Sequence, residues 1–182
     1  MKYLFPSLLL LAAVAGLSGC AVSLQPFYSK DTIVDDQTLE GRWTDGESTW
    51  QVTRTAPGRF EIASCGGDDC KADTVAVLFR SAGVTFLDFA EKPEKMFNSA
   101  IHLHGLFEVR MRGGELDVTI LDTDRISKLA ERQQLDTDYA DLESGAVLTA
   151  RPNDLQKFVI RHLNDGQIFG DAFHLRRPAA NE

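Results

Sequence analysis

The stretch from Ile101 to Arg112 constrains the fold more than any other part of the chain. Ile101, Leu103, Phe107, Val109 and Met111 fall on one side of an extended backbone, and His102, His104, Glu108, Arg110 and Arg112 on the other. This period of two marks a strand with one dry and one wet face. Gly113-Gly114 supplies a hairpin turn, and Leu116, Val118 and Ile120 resume the alternation.

The same period runs through the preceding residues. Trp50 and Val52 alternate with polar neighbours, as do Phe60 and Ile62 after a Pro57-Gly58 turn. Val75, Val77 and Phe79 share a face, and Ser81-Ala82-Gly83 turns the chain into Val84–Asp88. The first two-thirds therefore reads as six or seven short antiparallel strands. Their apolar face must be covered by closure into a barrel, by a second sheet or by helices.

The last third changes period. Asp122-Thr123-Asp124 opens a helix carrying Ile126, Leu129 and Ala130. An acidic loop from Asp136 to Ser144 and a short strand over 146–150 follow. Pro152 fits the first position of a second helix, with Leu155, Phe158, Val159 and Leu163 as its apolar stripe. Asn164-Asp165-Gly166 stops that helix, and Ile168–Leu175 makes a final strand. The expected class is α+β, mainly β: an antiparallel meander with two C-terminal helices.

The N-terminus has a different character. Lys2 precedes an uncharged, mostly apolar run from Tyr3 to Leu17, followed by Leu17-Ser18-Gly19-Cys20. This is the plan of a secretory signal peptide, shorter than the roughly 20 apolar residues of a spanning helix. The alternative is an anchor that is never cleaved. Leu17-Ser18-Gly19-Cys20 closely resembles the bacterial lipobox. The resemblance implies a diacylglyceryl thioether on Cys20, cleavage before it and an N-acyl chain on the new terminus. One acyl chain holds a protein only marginally, and two or three hold it firmly. Ala21, where an Asp would signal inner-membrane retention in Gram-negative lipoproteins, favours by the same resemblance the periplasmic face of the outer membrane.

The expected organisation is a signal over 1–19, a lipidated cysteine and tether over 20–38, one globular β-rich domain over 39–178 and a tail over 179–182. Of 182 residues, 163 remain after the signal, with 18 Lys and Arg against 27 Asp and Glu, a net charge of −9. An acidic domain argues against nucleic acid as a partner. Cys65 and Cys70 flank a Gly-Gly-Asp-Asp turn, and in an oxidising compartment they suit a disulfide. A redox pair or a metal site is the alternative, but the spacing is not Cys-x-x-Cys and no further cysteine completes a zinc site.

Candidate chemistry is sparse. His102-x-His104 is the best metal-like pair, yet two ligands fall short of the three or four that zinc takes. His162 and His174 are distant in sequence, and solvated surface histidines are the simpler reading. Asp68, Asp69 and Asp73 lack the pattern of a calcium loop. Asp122 and Asp124 read as helix capping before they read as paired acid/base carboxylates. Glu91-Lys92-Pro93-Glu94-Lys95 reads as a solvated loop. No nucleophile elbow, phosphate loop or dinucleotide fingerprint occurs in the sequence. The expectation is no enzyme, no catalytic residue, no metal and no cofactor beyond the covalent lipid on Cys20.

Two further resemblances rest on particular residues. Leu39-x-Gly41-x-Trp43, Val84–Asp88, the strand around His104, Leu121-Asp122-x-Asp124 and Leu148-Thr149-Ala150 before a helix together resemble a group of small uncharacterised bacterial lipoproteins. They import no activity. Gly41-Arg42-Trp43 resembles the lipocalin Gly-x-Trp signature. That resemblance implies a barrel with Trp43 closing its base against Arg176 or Arg177. Two late helices, where lipocalins have one, put full closure in question, so the expectation is a partly open lipocalin-like barrel. Function is expected to be protein binding at the envelope by a membrane-anchored module, as an assembly accessory or an inhibitor. The alternative is a carrier or sensor of a small apolar ligand in a cavity lined by Trp43, Trp50, Phe60, Phe79, Phe86 and Phe107. An enzyme with an unrecognised site is third.

Overall fold

A computed structural model describes residues 20–67, 69–92, 102–142, 145–163 and 166–179. The proposed signal over 1–19 lies outside the described residues. Seven strands fill the first part of the barrel: β2 (Gly41–Thr44), β3 (Thr49–Ala56), β4 (Arg59–Gly66), β5 (Asp69–Ser81), β6 (Val84–Glu91), β7 (His104–Arg112) and β8 (Glu115–Leu121). Each pairs antiparallel with the next, joined where described by short glycine-bearing turns. β11 (Phe169–Arg176) pairs antiparallel with β8 on one side and with β2 on the other. The result is a closed antiparallel barrel of eight strands.

The mainly β architecture with two late helices is the one expected from the sequence, and its barrel is closed where a partly open one was allowed. The insertion between β8 and β11 holds α1 (Thr123–Glu131), β9 (Tyr139–Leu142), β10 (Gly145–Leu148) and α2 (Pro152–Arg161). It packs on the outside of the wall, leaving β11 free to return. The closure is nevertheless thin, because among the described residues the β11–β2 ladder has the single pair Arg176↔Thr44.

Alternation along the strands builds two cores. One cluster draws on every barrel strand and is therefore the interior. It contains Trp43, Val52, Phe60, Ala76, Leu78, Leu87, Phe89, Val109, Leu116 and Val118, with Leu175 packed against them. The other lies outside the wall, where Phe79, Phe86, Leu106 and Leu121 meet Ile126 and Leu129 of α1 and Leu155, Phe158 and Val159 of α2. Parts of β5, β6 and β7 are thus buried on both faces, which is how their outward positions come to hold large apolar side chains.

The helices form where capping and stripe coincide. The Asp122 side chain accepts from the Arg125 backbone N–H at 2.8 Å, and Asp124 adds an acid in the first turn. α2 has no side-chain cap at Arg151, and Pro152 sets its first turn instead.

Residues 20–38 depart most from expectation. They are not a free tether but an arm bound along the barrel. The Ala21 N–H donates to Leu121 O at 2.7 Å, and Leu24 N–H to Leu148 O at 2.9 Å. Between them β1 (Val22–Ser23) lies antiparallel to the start of β7 and parallel to β10. Further on, Phe27 is buried in the outer core, Ile33 bridges to Phe79, and Val34 N–H donates to Leu78 O at 3.1 Å. The arm ends in a short 3-10 turn, Gln37–Leu39, under the barrel. Its polar composition concealed this order because the barrel wall, not its own periodicity, satisfies its backbone.

Candidate functional site

The barrel has a built base. Trp43 is buried inside it and donates from Nε1 to Leu39 O at 2.8 Å. Arg177 lies over the indole with its guanidinium carbon 4.0 Å from the ring centroid, and its Nη2 donates to Thr38 O at 2.7 Å. Of the two arginines the sequence offered, Arg177 takes this place.

The six aromatics proposed as a pocket do not converge. Trp43 and Phe60 are buried in the interior, Phe107 packs against that cluster, and Trp50 is paired with Trp43 across β2 and β3. Phe79 and Phe86 point outwards, stack at 5.3 Å and lie beneath α2. The gap beside them, bounded by Phe27 and Val159, has no room for a water molecule. Period two predicts that residues share a face but not which face becomes the lumen.

Towards the other end the interior loosens. Phe89 and Phe107 stack at 4.3 Å, while Ile62, Phe107 and Ile120 are only partly buried. Phe173 points to the same side as its cross-strand partner Val118 and is 52 % exposed.

The histidines lie apart, each described partner a separate carboxylate. His104 Nδ1 is 2.8 Å from Asp88 Oδ1, His162 Nε2 is 2.9 Å from Asp136 Oδ1, and His174 Nδ1 is 2.6 Å from Asp117 Oδ1. His102 precedes β7 and is exposed, so the alternate-residue geometry proposed for His102 and His104 does not form. Among the described residues no three His, Cys, Asp or Glu gather as metal ligands. Asp69 and Asp73 belong to β5, Asp68 lies outside the described residues, and Asp122 caps α1. In the Glu91–Lys95 segment, Lys92 pairs with Glu61 at 2.8 Å, and residues 93–95 lie outside the description.

Asp88 is a group that the sequence reading passed over. It is buried, its Oδ2 accepts from the Phe27 N–H at 2.8 Å, and its Oδ1 meets His104. Burial pushes this carboxyl above the usual range, against the opposing pull of His104 and the Phe27 N–H. A lone acid inside the apolar run Val84–Phe89 was the signal. The pair fastens the arm to β6 and β7.

Cys65 and Cys70 form a disulfide as directly opposed residues of β4 and β5. Cys20 bridges to Asp122 and is 5 % exposed within the interior cluster. Burial, and then the charge of Asp122, push its thiol up to about 12, so the unmodified sulfur is a poor nucleophile.

A second feature missed from sequence is the seam between β2 and β11. On its outer face a cavity of about 310 Å³ is lined by Arg42, Thr44, Gly46, Thr49, Gly67, Arg176 and Pro178. Arg42 alternates with the inward Trp43, so placing Trp43 inside would have placed Arg42 here. Above Arg176, β11 pairs with β8 but has no strand on its other edge among the described residues.

No protein-family model matches the chain, and no curated protein or solved structure is significantly similar to it. The functional reading therefore rests on the geometry of the chain itself.

Proposed function

We propose that the chain is a bacterial envelope lipoprotein, anchored through acyl chains on Cys20, whose domain binds a protein partner and performs no catalysis. The observation that carries the binding reading is the edge of β11 before Arg176, which has no strand beside it among the described residues, with Phe173 half exposed on that stretch. Exposed strand edges are templates for pairing with another chain, and folds without a partner for them usually blunt them. The filled base of the barrel supports the same reading over that of a deep ligand carrier. A carrier role would draw on the looser end of the interior, where Ile62, Phe107 and Ile120 are only partly buried.

Two measurements test this function. Metabolic labelling with a tagged palmitate should mark the wild-type chain, and Cys20→Ser should lose the label and leave the membrane fraction. Unchanged labelling would sink the anchor. Native mass spectrometry of the domain after incubation with envelope extract separates the binding readings. A small-mass adduct that persists until unfolding would replace protein binding with the carrier role, whereas a clean apo mass with a bound protein supports the proposal.

A further inference from the structure

The seam combines an open strand edge with two arginines that have no carboxylate partner among the described residues. Arg42 donates from Nη2 to Gly67 O at 2.9 Å and to the disulfide sulfur of Cys70 at 3.9 Å. Its Nε is buried without a partner. Arg176 has no ion pair among the described residues, although Glu115 stands opposite it in register. Elsewhere in this acidic chain Arg54, Arg110 and Arg161 pair with Asp35, Glu108 and Asp136. A buried donor on a cation is costly when unsatisfied, and such a group calls for an occupant that completes it. The nearby Asp45 carboxylate does not serve, since it accepts from the Glu47 and Ser48 N–H groups of the β2–β3 turn.

We infer that the seam docks an extended segment of a protein partner that carries a carboxylate side chain. The segment adds as a strand along β11 from Phe169 to Leu175, and its carboxylate enters the cavity between Arg42 and Arg176. Backbone groups on the open edge are satisfied by a peptide and by no small anion, which sets the partner class. Planar guanidinium groups bind carboxylate by paired, charge-assisted hydrogen bonds, which sets the side-chain chemistry. Phe173 offers the apolar contact for the alternate side chains of the added strand. This inference rests on the protein-binding reading above and specifies where and how that binding occurs.

The test is site-specific cross-linking of the full-length chain in its native host, with a photo-reactive phenylalanine analogue replacing Phe173. A second chain carries the analogue in place of Leu142, an exposed residue of β9. The expected result is one cross-linked protein at position 173, joined through a segment that contains Asp or Glu. The yield should fall at least about tenfold in the Arg42→Ala/Arg176→Ala variant, the scale of losing paired charge-assisted bonds. Arg42→Lys should recover part of it, which a merely structural loss would not allow. Thermal unfolding of both variants separates docking from folding. A cross-link at 173 that ignores the arginine variants overturns the carboxylate. Cross-linking at 142 alone overturns the seam but keeps protein binding, and cross-linking at neither position removes both. Capture of a second copy of this chain, or of lipid, overturns the partner class.

Discussion

Arg177 lies across the face of Trp43, its guanidinium carbon 4.0 Å from the ring centroid, and so joins the chain's last described residues to the first strand of the barrel. The contact is a cation–π pair, and the same guanidinium bonds Thr38 O just before the 3-10 turn ends. Gly41 explains its close approach: φ is +123°, and a Cβ there would overlap Arg177.

Arg177→Ala should therefore lower unfolding stability by about 1–2 kcal/mol, the sum of a cation–π contact and a hydrogen bond. Trp43→Ala should cost more, about 3–5 kcal/mol, because it also empties the base of the interior. Urea unfolding of both variants checks the order. An Arg177→Ala midpoint equal to wild type would show that the stacked pair contributes nothing to closure.

Reduction of Cys65–Cys70, or replacement of both by Ser, should lower stability by about 2 kcal/mol in the chain-entropy account of so small a loop. Because Arg42 bonds Gly67 in the same hairpin, the seam should loosen with it. Hydrogen exchange of β3 and β4 amides, with and without reductant, reads both effects. Exchange confined to global unfolding would detach the hairpin from the seam.

Asp88 gives a pH dependence with a definite sign. Its folded carboxyl binds its proton more tightly than the unfolded one, whose ordinary value is 3.8. Its contribution to stability is thus fully present below that value and is lost as pH rises through the folded value. Asp88→Asn keeps an acceptor for the Phe27 N–H and removes the titration. The wild-type stability should fall relative to Asp88→Asn between about pH 4 and the folded value, measured as paired urea midpoints. Parallel profiles would contradict the burial argument.

Gly105→Ala tests the packing at the looser end of the barrel. A Cβ at that position would overlap the Phe89 ring, which stacks on Phe107. The variant should lose about 1–3 kcal/mol through overpacking. A Phe89→Leu background, with a smaller side chain, should recover part of it. No recovery would place the strain elsewhere.

The strands, both helices and the disulfide were legible because each rests on local chemistry: alternation in Phe107–Arg112, a cap at Asp122, two cysteines around a glycine turn. Phe79 and Phe86 show where that legibility ends. Alternation pairs them correctly, but a strand buried on both faces gives no sign of which face is the lumen. The arm was illegible for a related reason. Ala21, Phe27 and Val34 owe their order to Leu121, Asp88 and Leu78, residues far along the chain, and their own neighbours carry no period. β9 was hidden inside a polar loop because it needs only β10 beside it. The seam was missed because Arg42 and Arg176 are remote in sequence, and only barrel closure brings them together.

The arm also bears on how far the domain could stray from the anchor proposed on Cys20. A flexible linker of its length would let the barrel wander about 20–25 Å from the bilayer. With the backbone fixed from Ala21 onward, the acyl chains proposed on Cys20 would have no leash to pay out, and Cys20, buried beside the interior cluster, would have to turn away from the barrel to enter a membrane. The barrel end beside Leu121 would then ride at the headgroups, and the open edge of β11 begins at that end, since Phe169 pairs with Leu121. A domain so held would sample only what comes close to the surface that bears its anchor.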